Sequence, residues 1–412
     1  MTSPETVKAR RPLLSLPPTV LGLGLVSLLT DFSSEMIYPL LPLFFTTVLG
    51  GSAAGLGFME GLVESIASLL KLVSGRWSDR LQHRKPLVVA GYSLASVARP
   101  LIALAANPWH VIGLRVLDRT GKGLRGAPRD ALIADAVEPT RRGEAYGLHR
   151  AMDNLGAVAG PVTGLLLFPV LFGARPLGGG DFRLLFGIAA VPAVLSVLVL
   201  LFLVREAPRA TAPRATGSNT GAATLGRPFW FLLAVLVLFT LGNSSDMFLV
   251  LRASSAGLHV RDIYLIWALL HVVKTALSTP AGMLSDRVPR RFLIAGGWIV
   301  YAAVYLGFGL ASSAASIWWL FGVYGIYFAL VEGTERALVA DLVPASARGT
   351  AFGWYNASIG IAAFPASVIF GGLWTWGGTA RGPLLAFGLG SALALTAAVL
   401  LLLQPRSLTS NC

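Results

Sequence analysis

One cysteine, Cys412, occurs in 412 residues, so an internal disulfide framework and a cysteine metal cage are both excluded. Histidine is nearly as scarce, with five residues. Charge is the most telling shortage: Asp, Glu, Lys and Arg make up 13% of the chain, about half the roughly 25% of a soluble globular protein. A water-soluble enzyme of this size is thereby disfavoured. Nucleotide chemistry is missing too. The Gly-Lys-Gly at 121 to 123 has neither the glycine spacing nor the Ser/Thr of a phosphate-binding loop, and no nucleophile stands beside a base. Any uphill movement must draw on an ion gradient.

What is present is apolar sequence: 55% hydrophobic residues and a mean hydropathy of +0.69. About twelve apolar runs open near Thr19, Ala54, Pro86, Trp109, Glu144, Phe182, Phe229, Asp262, Arg291, Ser316, Gly349 and Gly382, most of them long enough to span a bilayer. The expected fold class is an all-α polytopic membrane protein of about twelve transmembrane helices. The first run follows Lys8, Arg10 and Arg11 without a small-residue cleavage site after it and is expected to be a retained span. The net charge of +13 is concentrated in the loops holding Arg76 to Lys85, Arg141 and Arg142, Arg205 to Arg227, and Arg287 to Arg291. The intervening loops carry few cations, such as Arg175, Arg183, Arg261 and Arg381. The positive-inside rule then places the basic loops and both termini in the cytoplasm, with the chain in a bacterial inner membrane. Topology accounts for the charge, and no nucleic-acid partner is needed.

The Ala-, Pro-, Thr- and Gly-rich stretch from Glu206 to Arg227 reads as a flexible linker, and the two sides of it match. Ser33-Ser34-Glu35-Met36 recurs as Ser244-Ser245-Asp246-Met247. Gly75-Arg-Trp-Ser-Asp79-Arg80 recurs as Gly282-Met-Leu-Ser-Asp286-Arg287. Ala131 to Asp135, with Arg142-Gly143 downstream, recurs as Ala337 to Asp341 with Arg348-Gly349. Offsets of about 206 to 211 residues, roughly six spans, mark two parallel six-helix repeats related by pseudo-two-fold symmetry. The expected organisation is a tail at 1–17, a bundle at 18–205, a linker at 206–227, a second bundle at 228–405 and a tail at 406–412.

At these motifs the whole chain resembles the major facilitator superfamily. The resemblance rests on the loop Gly75-x-x-x-Asp79-Arg80 ending in Arg84-Lys85, on its copy Gly282-x-x-x-Asp286-Arg287, and on Gly156-x-x-x-Gly160-Pro161-x-x-Gly164 in the fifth span. Pro39-x-x-Pro42 in the first span is similar to a pattern of twelve-helix drug:proton antiporters. The fourth span, Asp118-Arg119-x-Gly121-Lys122-Gly123-x-Arg125-x-x-Pro128-Arg129-Asp130, resembles a branch of uncharacterised prokaryotic members. Gln82 departs from the family, which usually has glycine there. The resemblance implies two bundles rocking about a midplane cavity, Asp79 facing the start of the eleventh span near Gly349, and Asp286 facing the start of the fifth near Gly143, as gating latches.

Ionisable groups at membrane depth are costly and usually face a bundle interior or a cavity. Asp31 and Glu35 lie four apart on one face of the first span, as do Glu60 and Glu64 on the second. Asp31, Glu35, Glu64, Asp153 and Asp246 are the proton-coupling candidates, Glu35 and Asp246 being equivalent in the repeats. The fourth span carries Arg115, Asp118, Arg119, Lys122, Arg125 and Arg129 at intervals of three and four, a net positive stripe. With Asn243, His271, Lys274, Glu332 and Glu335, the upper members Arg115, Asp118, Arg119 and Lys122 are the substrate-cavity candidates; the lower ones are expected in the cytoplasm. His149 and His271 beside acids leave transition-metal ligation open, and no cofactor is expected. The expected activity is proton-coupled export of a small organic compound by a monomer in the bilayer. Alternatives are uptake or exchange of an organic anion, export of a metal or metal chelate, or a non-transporting sensor.

Overall fold

The computed structural model describes residues 16–138, 141–173, 177–206, 225–285, 287–344 and 347–403. The expected tails at 1–15 and 404–412 and the linker core at 207–224 lie outside these residues, as does Asp286; the side chains of Arg76, Asp79, Arg80 and Arg142 are also outside the description.

The described residues form α1 (Pro18–Val48), α2 (Ala53–Arg80), α3 (Lys85–Leu104), α4 (Pro108–Asp135), α5 (Arg142–Phe172) and α6 (Gly179–Phe202). After the linker come α7 (Arg227–Ser255), α8 (Val260–Ser285), α9 (Arg290–Leu310) and α10 (Ala314–Asp341). A final helical run, Arg348–Leu403, breaks at Gly378, whose φ of 63° suits a residue without a Cβ, into α11 (348–377) and α12 (379–403). The starts are written in the sequence. Asn107 accepts from the His110 amide ahead of α4, and Ser313 accepts from the Ser316 amide ahead of α10. These two caps are repeat equivalents.

Eight helical stretches are long and apolar enough to cross a membrane, the last holding both α11 and α12; α2, α4 and α8 are not among them. Those three are the helices that carry Glu60, Glu64 and Lys71, the arginine stripe, and His271 with Lys274. Trp109, Trp319 and Trp376 are 71%, 78% and 80% exposed. They stand at the membrane face opposite the basic loops, where indole rings favour the lipid headgroup level.

Within the first half α1 packs on α5, α3 on α4 and α2 on α4; within the second, α7 packs on the run of α11 and α12, α9 on α10 and α8 on α10. The halves meet along α2 with α11 and α5 with α8, a pseudo-two-fold arrangement. The α2–α11 seam depends on glycine: a methyl group at Gly57 would run into the Ser367 carbonyl, and one at Gly61 would lie 2.8 Å from the Phe364 carbonyl oxygen. The Ser65 hydroxyl donates to the Gly360 carbonyl at 2.5 Å and the Ala54 amide to Thr375 Oγ1 at 3.0 Å. In the α5–α8 seam Gly164 sits under the Tyr264 ring, whose hydroxyl donates to the Met36 carbonyl at 2.8 Å. Both seams close the face opposite the basic loops.

Two arginines at that closed face finish neighbouring helices. Arg183 donates to the Ala103 and Ala105 carbonyls at the end of α3, and Arg252 donates to the Phe308 and Ala311 carbonyls at the end of α9. A cation there satisfies orphan carbonyls and the negative end of the helix dipole.

Candidate functional site

A cavity of about 1440 Å³ lies between the halves. It runs from Tyr38, Glu60 and Ser367 at mid-depth to Gly75, Arg129, Arg336 and Gly353 near the basic loops, so it is open toward the basic face and sealed toward the other.

On the first-half wall the arginine stripe of α4 divides in two. Arg115 is 6% exposed and turns into the bundle, where its guanidinium reaches Glu60 Oε1 at 3.0 Å and Asp118 Oδ2 at 3.4 Å. Arg99 from α3 takes the other Asp118 oxygen at 3.0 Å and donates to the Thr30 carbonyl at 2.8 Å. Two arginines and two acids thus balance each other out of water, the condition under which buried charge is tolerated. Arg119 and Lys122 face the cavity instead. Arg119 has only a 4.0 Å approach to the already shared Asp118, and its Nε is without a hydrogen-bond partner. No described acid pairs with Lys122, which is exposed to the cavity beside Lys71 and Glu64. Lower down, Arg125 lies over the Tyr92 ring at 4.0 Å and Arg129 pairs with Asp130 at 2.8 Å. Both also line the cavity, which extends the cationic surface further than the sequence suggests.

Asp31 and Asp153 meet on the same wall. Both carboxyls line the cavity and act on each other electrostatically, and Ser27 donates to Asp153 Oδ1 at 2.6 Å.

On the second-half wall α7 is not continuous: it unwinds after Gly242 and resumes at Met247. Asn243, Ser244, Ser245 and Asp246, all lining the cavity, are therefore presented on irregular backbone, which is tolerated at membrane depth only where it lines a cavity or is buried in protein. Ser245 Oγ donates to Glu60 Oε2 at 2.9 Å and Tyr38 reaches the same oxygen at 3.4 Å. Glu60 thus touches α4 of its own half through Arg115 and α7 of the other half through Ser245. Below, Glu332 joins Lys274 at 2.9 Å and, across the halves, Arg150 at 2.7 Å, while the Lys274 ammonium sits 4.5 Å from the Phe328 ring centre.

Of the residues singled out from sequence, Asp31, Glu64, Arg119, Lys122, Asp153, Asn243, Asp246, Lys274 and Glu332 line the cavity. Arg115 and Asp118 do not, because their pairing holds them in the bundle interior. Glu335 is buried behind α10, accepting from Trp298 Nε1 at 3.2 Å and from Tyr355 at 3.1 Å. Glu35 and His271 belong to the closed side: Trp267 Nε1 donates to Glu35 at 2.8 Å, and His271 lies 3.8 Å from the same oxygen. Among the described residues no group of three or more His, Cys, Asp or Glu could hold a metal ion. In α5, Gly156 and Gly160 bring α1 close, a methyl at either running against the Leu28 or Phe32 carbonyl; Pro161 follows within the same helix. Of the latch loops, Asp79 and Arg80 side chains and Asp286 lie outside the described residues; Gly75, Gly282 and Arg287 are at the basic end of α2 and α8. Arg84, expected in the first loop motif, binds within its own half, pairing with Asp135 at 2.5 Å, as its repeat mate Arg290 pairs with Asp341. The Glu60 bridge and the α7 break are features that the sequence alone does not display. Glu60 was visible four residues before Glu64, but a partner on the other half leaves no local signal.

The family model described as Major Facilitator Superfamily matches residues 23–366 and 253–411. The chain belongs to the major facilitator superfamily. An uncharacterised MFS-type transporter of Methanocaldococcus jannaschii is 35% identical over 386 residues, covering 92% of this chain and 93% of the relative. A multidrug resistance protein, MdtH, of Cronobacter sakazakii is 26% identical over 343 residues, 82% of each chain. Among solved structures, the nucleoside transporter NupG superposes with a TM-score of 0.77 at 13% identity, covering 93% of this chain and 99% of the other. A bacterial homologue of the human lysosomal transporter Spinster, inward-facing and unoccupied, gives 0.73 at 17% identity over 96% of each chain. The protein is thus a twelve-helix, multi-pass membrane transporter of two six-helix halves.

Proposed function

We propose that this transporter moves a small organic anion across the inner membrane, coupled to protons, by alternating access. One observation carries the anion: Arg119 and Lys122 stand in the cavity without an acid of their own, whereas the neighbouring Arg115 and Arg99 are neutralised. A guanidinium beside an ammonium in a confined cavity holds a carboxylate or phosphate through charge-assisted hydrogen bonds. The proton enters through carboxyls. Asp31 and Asp153, neighbouring carboxyls on one wall, form a natural place to hold one proton between them, and Asp246 lines the cavity from the other half. The seal opposite the basic loops and the opening toward them correspond to one end state of a rocking cycle, inward-open when the basic loops and termini are cytoplasmic.

Flux tests this directly. Protein reconstituted in liposomes, supplied with a panel of radiolabelled mono- and dicarboxylates and phosphate esters, should carry at least one of them at a rate that depends on an imposed pH gradient; no anion carried by wild type, with cationic or neutral compounds moved instead, would overturn the reading. Export of a small organic compound is the second reading, favoured by the MdtH relatives. The loop acids Asp79 and Asp286 enter the proposal as latches of the face that is open here. Asp79→Asn would cost the form closed at that face about 1 to 3 kcal/mol, so spin-label distances across the basic face should lengthen; unchanged distances would leave the loop a topology signal alone.

A further inference from the structure

Asp246 stands directly before the helical segment Met247–Ser255, where an aspartate ordinarily folds back to accept from the second or third amide of the helix. It makes no such bond. The Ser245 hydroxyl meets the Met247 amide at 3.3 Å instead, and the Asp246 carboxylate turns away to accept from the Tyr324 hydroxyl at 2.7 Å. Tyr324 comes from α10 and is fully buried, so its ring is held in place by packing.

The rest of the α7 break is held in the same manner. Tyr301 of α9 donates to the Gly242 carbonyl at 3.0 Å and to Asn243 Oδ1 at 3.2 Å, and Tyr305 donates to the Ser244 carbonyl at 3.4 Å. These phenols meet the carbonyls that unwinding leaves without helical partners. Tyr301 and Tyr305 stack with ring centres 4.0 Å apart, and Tyr324 and Tyr327 with centres 5.5 Å apart. The donors are therefore fixed by packing.

We propose that Tyr324 is the positioning residue of Asp246: its phenol replaces the helix cap as partner of the carboxyl and aims that carboxyl into the cavity. The inference rests on the reading of Asp246 as a proton-carrying group. The charged groups that act on Asp246 are Lys274 of α8, Glu60 of α2 and, from the closed side, Glu35 of α1, with the phenols of Tyr301, Tyr305 and Tyr327 nearby. Tyr324 alone among the described residues donates a hydrogen bond to its side chain.

Infrared difference spectroscopy of the full-length protein in liposomes, titrated with pH and without substrate, reads this bond without needing flux. A carboxylic-acid C=O band lost in Asp246→Asn belongs to Asp246. In Tyr324→Phe that band should move to higher wavenumber, because a donor to the carboxyl is gone. Replacing the Tyr324 phenol by 3-fluorotyrosine, a stronger donor that keeps the ring and its packing, should move it lower. Tyr327→Phe, which touches Asn243 and not Asp246, should leave it in place. A band lost in Asp246→Asn but unmoved by both changes at Tyr324 overturns the positioning role and leaves the proton reading standing. No band lost in Asp246→Asn at any pH overturns the proton reading itself.

Discussion

Arg115 and Arg119 differ by four positions and by one property, whether an acid waits for the guanidinium. Arg115→Ala takes from the buried Glu60 its cationic partner, while Asp118 keeps Arg99, and breaking a buried pair in this way costs about 3 to 5 kcal/mol. The expected outcome is a large fall in thermal stability in detergent with loss of folded yield. Arg119→Ala leaves Asp118 still held by Arg99 and Arg115, so stability should be nearly unchanged. Affinity for the transported anion should fall by about ten- to a hundredfold, the worth of one hydrogen bond between charged groups. Arg119→Lys should lie between, keeping charge but losing the planar fork. The opposite pattern, a stable Arg115→Ala and an unfolded Arg119→Ala, would reverse the two roles. The sequence displays both residues on one helical stripe and cannot separate them, because the difference lies in Glu60 on α2 and Arg99 on α3.

The seams between elements set which face is open. Gly164 touches the Tyr264 ring across the halves, whereas Gly156 touches Leu28 within one half. Gly156→Ala should lower stability by forcing α1 and α5 apart. Gly164→Ala should instead wedge the seal and favour the state open at the opposite face. Double electron–electron resonance between labels at the outer ends of α5 and α8 should show longer distances in Gly164→Ala, and unchanged ones would mean that the seam does not govern opening. Helix number and starts were legible in the sequence because apolar runs, prolines and caps are local signals: Thr19, Ala54 and Trp109 each fall within one residue of an observed start. The α5 glycines were legible for the same reason. Gly57-x-x-x-Gly61 offered an equal signal for close approach, yet its partner Ser367 is 310 residues away and belongs to the other half. The break in α7 was hidden as well, since Asn243 to Asp246 match the continuous helical segment Phe32 to Glu35 in α1, and only the tyrosines of α9 and α10 distinguish them.

For the whole molecule, the two halves share a plan but not a chemistry. Caps at Asn107 and Ser313 and the pairs Arg84 with Asp135 and Arg290 with Asp341 repeat faithfully. The cavity walls do not: α4 offers Arg119 and Lys122, while α10 offers Phe328 at the repeat position of Lys122 and Glu332 about one turn nearer the basic loops. In the proposed reading, symmetry maintains the rocking frame, and the departures from symmetry set what is carried. Proton movement driven by an anion gradient brings frame and cargo into one readout. Liposomes containing the transporter and an entrapped pH-sensitive dye should show proton flux when a carboxylate or phosphate-ester gradient is imposed, and that flux should be lost in Arg119→Ala while a stable, correctly inserted protein remains. Proton flux of equal size in wild type and Arg119→Ala, or none with any anion, would contradict the account.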